Sequence, residues 1–132
     1  MPKLLDRQQA RSAATGLAAF RAGVGALAVL LPGLTLRPWI GKARETGTKL
    51  VGRSLGARDI ALGAGAMLAE RHDTPVRGWV EAGALSDAGD LVATLIAFRK
   101  LPRFTRWPTL LVTAAAVAAG GVVAPCVDRE DG

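Results

Sequence analysis

The apolar positions of this chain gather into four long runs separated by short polar stretches. The first runs from about Ser12 to Leu31 and stops at Pro32-Gly33. The second covers about Gly52 to Ala69, the third about Gly78 to Phe98, and the fourth Trp107 to Ala124, ending before Pro125. Each is about 18–21 residues long, enough for an α-helix to cross a hydrocarbon core of roughly 30 Å. Pro108 falls in the first turn of the fourth run, where a missing N–H costs little. The pattern predicts an all-α protein. Residues 1–132 form one membrane domain, a bundle of four transmembrane helices spanning about 12–31, 52–69, 78–98 and 107–124, with a disordered tail at 128–132.

Within the runs, small residues recur at helical spacing. Gly52, Gly56, Asp59, Gly63 and Met67 share one face of the second helix. Gly83, Asp87, Asp90 and Thr94 share one face of the third. A glycine-lined groove carrying one carboxylate can therefore face a stripe carrying two. Gly16, Gly23 and Gly25 offer the first helix a close-packing surface of the kind that lipid-embedded helices use. The composition agrees: 25 Ala and 16 Gly, and a mean hydropathy of +0.27 with half the residues hydrophobic. Trp39, Trp79 and Trp107 fall at the edges of the runs, where amphipathic rings suit a membrane–water boundary. The longest connection, 32–51, mixes Leu36, Trp39, Ile40 and Leu50 with Arg37, Lys42, Arg44 and Lys49. It reads equally as an amphipathic segment along the interface or as a plain basic loop.

Five ionisable residues interrupt the runs near their middles: Arg21, Arg58, Asp59, Asp87 and Asp90. Arg53 and Glu81 sit nearer the ends, as peripheral members able to snorkel. A charge at mid-bilayer costs about 2.5–3.5 kcal/mol, so these side chains must face inward and meet partners, or line water. An Arg–Asp network across the first three helices is geometrically available. Three carboxylates face two guanidinium groups, and with Arg53 and Glu81 four face three, which leaves one carboxyl without a partner. Asp87 and Asp90 lie one turn apart, and their repulsion in a low dielectric favours a proton on one of them.

The net charge is +6, but the basic residues cluster between apolar runs, and three phenylalanines with no tyrosine provide no base-stacking platform. Nucleic acid is not an expected partner; the lipid bilayer is, with a homo-oligomer or larger membrane complex as the protein context. Lone Cys126 and lone His72 have no second ligand at suitable spacing, so no metal site is expected. No nucleophile lies near a base, and Gly63-x-Gly65 follows a helical stretch rather than a strand. Neither a cofactor nor enzymatic activity is expected. Arg37, Lys42, Arg44, Lys49, Arg99, Lys100, Arg103 and Arg106 oppose Lys3, Arg7, Arg11, Arg71, Arg77 and Arg129, eight basic residues against six. This favours the connections 32–51 and 99–106 facing the cytoplasm and both termini outside, while the basic N-terminus argues the other way.

These residues also carry a resemblance. Arg53-Ser-Leu-Gly56-Ala-Arg58-Asp59-Ile-Ala-Leu-Gly63 resembles the second-helix pattern of small bacterial integral membrane proteins of the DUF4267 type. Trp79 through Asp90-Leu91 resembles their third helix, with two acidic residues three apart, and Arg21 to Gly41 their first helix and following loop. The chain departs from the pattern at Glu81-Ala82, where the third helix would carry a basic residue. The resemblance implies a multi-pass four-helix protein of the bacterial plasma (inner) membrane and no particular activity. Two roles stay open: a structural or accessory protein held together by its buried charges, or a proton- or ion-coupled small transporter with Asp87 and Asp90 at its site.

Overall fold

The computed structural model describes residues 5–37 and 45–128, and among these the protein is all helical. The described residues form four long helices and one short turn: α1 (Arg7–Leu30), α2 (Pro32–Thr35), α3 (Thr46–Arg71), α4 (Arg77–Ala97) and α5 (Arg103–Val127). At about 1.5 Å per residue the long helices extend roughly 31–39 Å. α1, α3 and α5 outrun the apolar segments that predict them, while α4 matches its segment in length, shifted by one residue. Capping is the reason at the first N-terminus: Asp6 and Gln9 form a reciprocal capping box, so α1 begins at Arg7 rather than near Ser12. α3 begins at Thr46, so the connection 32–51 is shorter than expected. Trp39, Ile40, Lys42 and Arg44 lie outside the described residues, as do Lys3 and Arg129.

Both prolines of α5 sit differently from expectation. Because the helix starts at Arg103, Pro108 lies beyond the first turn, and Pro125 lies inside the helix rather than after it. Proline removes one N–H and crowds the carbonyl four residues back. Here those carbonyls belong to Phe104 and Gly121, each near an end of α5 and at exposed positions. Asp128 is no tail residue: its carboxylate accepts a 2.7 Å hydrogen bond from the Arg77 backbone N–H. The end of α5 thus satisfies a free donor at the start of α4. α3 closes at His72, and Asp73 takes a left-handed conformation (φ 53°) in the turn that follows.

The bundle is built from two tight pairs. α1 packs most extensively on α3, and α4 on α5; α1 also meets α5, and α3 meets α4. Backbone contact explains the first pair. A Cβ at Gly25 would lie 2.5 Å from the Gly56 carbonyl oxygen, and one at Gly63 would lie 2.5 Å from that of Ala18. The glycine groove of α3 therefore faces α1, not the carboxylate stripe of α4. Gly16 and Gly23 take no part, with open space around both; of these three α1 glycines only Gly25 lies at the contact. Gly120 plays the equivalent part between α5 and Ala84 of α4.

Side-chain size is inverted relative to a water-soluble bundle. The buried apolar residues are Ala10, Ala14, Ala18, Ala66, Ala69, Val76, Val80, Val123, Ala124 and Val127. The large ones point outward: Phe20, Leu85 (76% exposed), Ile96 (80%) and Phe104 (93%). The small-residue core also occupies only one end of the bundle, where α1 begins and α5 finishes. Two helices, α1 and α5, contain stretches long and apolar enough to cross a membrane. α3 and α4 fall short of that measure because they carry Arg53, Arg58 and Asp59, and Glu81, Asp87 and Asp90.

Candidate functional site

The five central charges meet at mid-length of three helices. Arg21 projects from α1 and uses both terminal nitrogens: Nη1 donates to Asp59 Oδ1 of α3 at 2.9 Å, and Nη2 donates to Asp87 Oδ2 of α4. Arg58 grips Asp90 of α4 twice, Nη2 to Oδ2 at 2.8 Å and Nη1 to Oδ1 at 3.3 Å. Its Nη2 also reaches Asp59 Oδ1 at 3.4 Å. The five groups form a single chain, Asp87–Arg21–Asp59–Arg58–Asp90.

Local geometry dictates who meets whom. Successive helix residues point about 100° apart, so Asp59 turns toward α1 while Arg58 turns toward α4. Asp87 and Asp90, one turn apart, face different guanidinium groups. No carboxylate is left over: each of the three Asp residues touches at least one guanidinium, because each arginine engages two carboxylates. The expected carboxyl without a partner is therefore absent from this set. Gly83 lies beside the Arg21 head group; a Cβ there would sit 3.4 Å from the guanidinium carbon, an ordinary contact. Asp87 is the deepest of the carboxylates, 8% exposed.

The two peripheral candidates are not part of the chain. Arg53 is exposed and donates Nε to the Val29 carbonyl at 3.2 Å. Glu81 points outward and accepts from Arg77 Nε at 2.6 Å, an i,i+4 pair on the surface of α4. That hydrogen bond raises the Arg77 guanidinium above its ordinary value. An i,i+4 partner on the same helix is closer at hand than any central group, which is why Glu81 stays outside. One polar contact was not foreseen: Thr15 Oγ1 of α1 donates to Glu70 Oε2 of α3 at 2.6 Å. Glu70 ends the second apolar run, which is the only sequence signal for it.

The charge chain floors a cavity. The space measures about 290 Å³ and opens between the two helix pairs at the end of the bundle opposite the small-residue core. Arg58, Asp59 and Asp90 line its inner end, while Leu36 and Leu101 lie toward the outer one. Its walls are apolar apart from Thr35, Thr94 and Thr109. Asp87 does not line it. Among the described residues no three His, Cys, Asp or Glu side chains are placed to hold a metal ion.

These features define a class, an all-α bundle with a buried ion chain and a cavity above it. No family model matches the chain, and no curated protein and no solved structure matches it either.

Proposed function

We propose that the chain is a four-span integral membrane protein of the bacterial inner membrane, similar in kind to the DUF4267 type. In this reading it acts as a structural or accessory subunit, alone as a homo-oligomer or within a larger membrane complex, and is not an enzyme. The observation that carries the reading is the inverted distribution of side-chain size. Water-soluble monomers rarely expose apolar patches larger than a few hundred Å², yet every long helix here turns Leu, Phe, Ile, Val or Trp outward. In lipid that surface is already solvated, and association rests on close packing of small residues and on interhelical polar contacts.

The same setting gives the ion chain its role. Each central charge inserted alone costs about 2.5–3.5 kcal/mol, and pairing offsets that cost only when α1, α3 and α4 present the right faces. The chain thus acts as a register device for three helices. Charge distribution supports one orientation. The end holding Arg37, Lys49, Arg99, Lys100, Arg103 and Arg106 has Glu45 as its one acidic partner among the described residues. The other end mixes Arg7, Arg11, Arg71 and Arg77 with Asp6, Glu70, Asp73, Glu81 and Asp128. The first end suits the cytoplasmic side.

Two measurements test the proposal. The protein should stay in the membrane pellet through alkaline carbonate washing. Single cysteines at Glu45 and Thr105, in a Cys126→Ala background, should be labelled only from the cytoplasmic face, and one at Asp73 only from outside. Recovery of folded protein from cytosol without detergent would remove the reading.

A second reading, a small proton- or ion-coupled carrier, is favoured by the cavity that ends on the charge chain. Its site would centre on Asp90 and Asp59 rather than on Asp87, since Asp87 lies off the cavity. Proteoliposome flux abolished by Asp90→Asn in a protein of unchanged melting temperature would support it over the scaffold.

A further inference from the structure

We infer that the cavity above the ion chain is a binding site for an amphiphilic organic monocation. The inference depends on the cavity and its charges and goes beyond the scaffold reading. Three observations converge on it. The first is charge: two guanidinium groups face three carboxylates, so the fully ionised chain retains one negative charge. Asp59 and Asp90 both line the cavity floor together with one guanidinium, that of Arg58, while Arg21 reaches Asp59 from outside the lining. Arg58 makes two hydrogen bonds to Asp90, and its buried Nε is left without a partner.

The second is acceptor capacity. Arg21 and Arg58 both address Asp59 through Oδ1, and Asp59 Oδ2 receives no hydrogen bond from either. A cationic head group placed over Asp59 therefore meets an oxygen that the arginines leave free. The third is shape and polarity. About 290 Å³ suits a small organic ligand. Val24, Ala28, Leu36, Leu55, Ala93 and Leu101 present hydrocarbon to the body of such a molecule. An inorganic cation would leave those walls without a partner.

Isothermal titration of the detergent-purified protein with benzyltrimethylammonium tests this, with neopentylbenzene as the neutral molecule of the same shape and phenylmethanesulfonate as an anion. The cation should bind once per chain and saturably, about tenfold or more tighter than either control. Asp59→Asn cancels the excess charge yet keeps an acceptor for Arg21, and should weaken the cation about tenfold or more. Should that variant fail to fold, Ala97→Phe narrows the cavity without touching the ion chain and should weaken the cation likewise. Equal binding of the neutral isostere, or cation binding indifferent to both substitutions, would overturn the inference, as would no binding by folded wild-type protein. A failure here leaves the membrane reading intact, because fractionation decides that separately.

Discussion

Gly25 of α1 and Gly56 of α3 meet backbone to backbone: a Cβ on either would fall within 2.6 Å of the other's carbonyl oxygen. No rotamer change relieves a clash of that kind, since both partners are main chain. Gly56→Ala should therefore lower the melting temperature in detergent and destabilise by about 1–3 kcal/mol. Gly16→Ala is the matched control, because nothing lies within 4 Å of the added methyl. It should be neutral or slightly stabilising. Equal losses from the two would mean that the α1–α3 contact is not backbone-limited.

Arg21 holds two carboxylates on two other helices, and Arg58 shares one of them. Arg21→Met should therefore be the most damaging single change in the ion chain. It strands Asp87, which has no other guanidinium, and should cost about 3–5 kcal/mol. Thermal unfolding of the purified variants ranks them.

Arg58 and Asp90 behave as a pair. Arg58→Gln leaves half-buried Asp90 without a guanidinium and should be destabilising, whereas Arg58→Gln with Asp90→Asn should recover most of the loss, as removal of both partners of such a pair does. A double-mutant cycle reads the coupling directly. The corresponding cycle with Asp59 in place of Asp90 should recover less, because Arg58 touches Asp59 at only 3.4 Å.

Leu85 lies two residues from Asp87 yet faces outward at 76% exposure. Leu85→Lys should reduce insertion of α4, by about 2.5–3.5 kcal/mol in a translocon assay. On a water-facing helix the same substitution would be harmless. The outcome separates lipid from water around this face.

Asp128→Ala removes the acceptor for the Arg77 N–H. A lost helix-end acceptor costs about 0.5–2 kcal/mol, while Asp128→Asn keeps an acceptor and should retain most of the stability. Amide exchange at Arg77 should accelerate in the alanine variant only.

The four long helices and the meeting of Arg21, Arg58, Asp59, Asp87 and Asp90 were legible in the sequence. Charges inside apolar runs are costly alone, so their common depth already implied contact. Which charge meets which was not legible, because two adjacent residues, Arg58 and Asp59, face different helices and only the packing angles decide their partners. The same limit applies to glycine. Spacing marked Gly16 and Gly23 as well as Gly25, but spacing cannot distinguish an outward glycine from one at a contact. Helix ends moved for local reasons, the Asp6–Gln9 box lengthening α1 and Pro125 being tolerated in the last turn of α5. The cavity had no sequence signal at all, since it arises from where the two helix pairs part.

That parting has a mechanical consequence. The two pairs are cemented at one end by Ala14, Ala66, Val80 and Val123, and separated at the other by the cavity. Any rocking of α1–α3 against α4–α5 must therefore turn about the alanine–valine end as its fulcrum. The widest travel falls at Leu36 and Leu101, and the Arg21 and Arg58 bridges are the tethers that limit it.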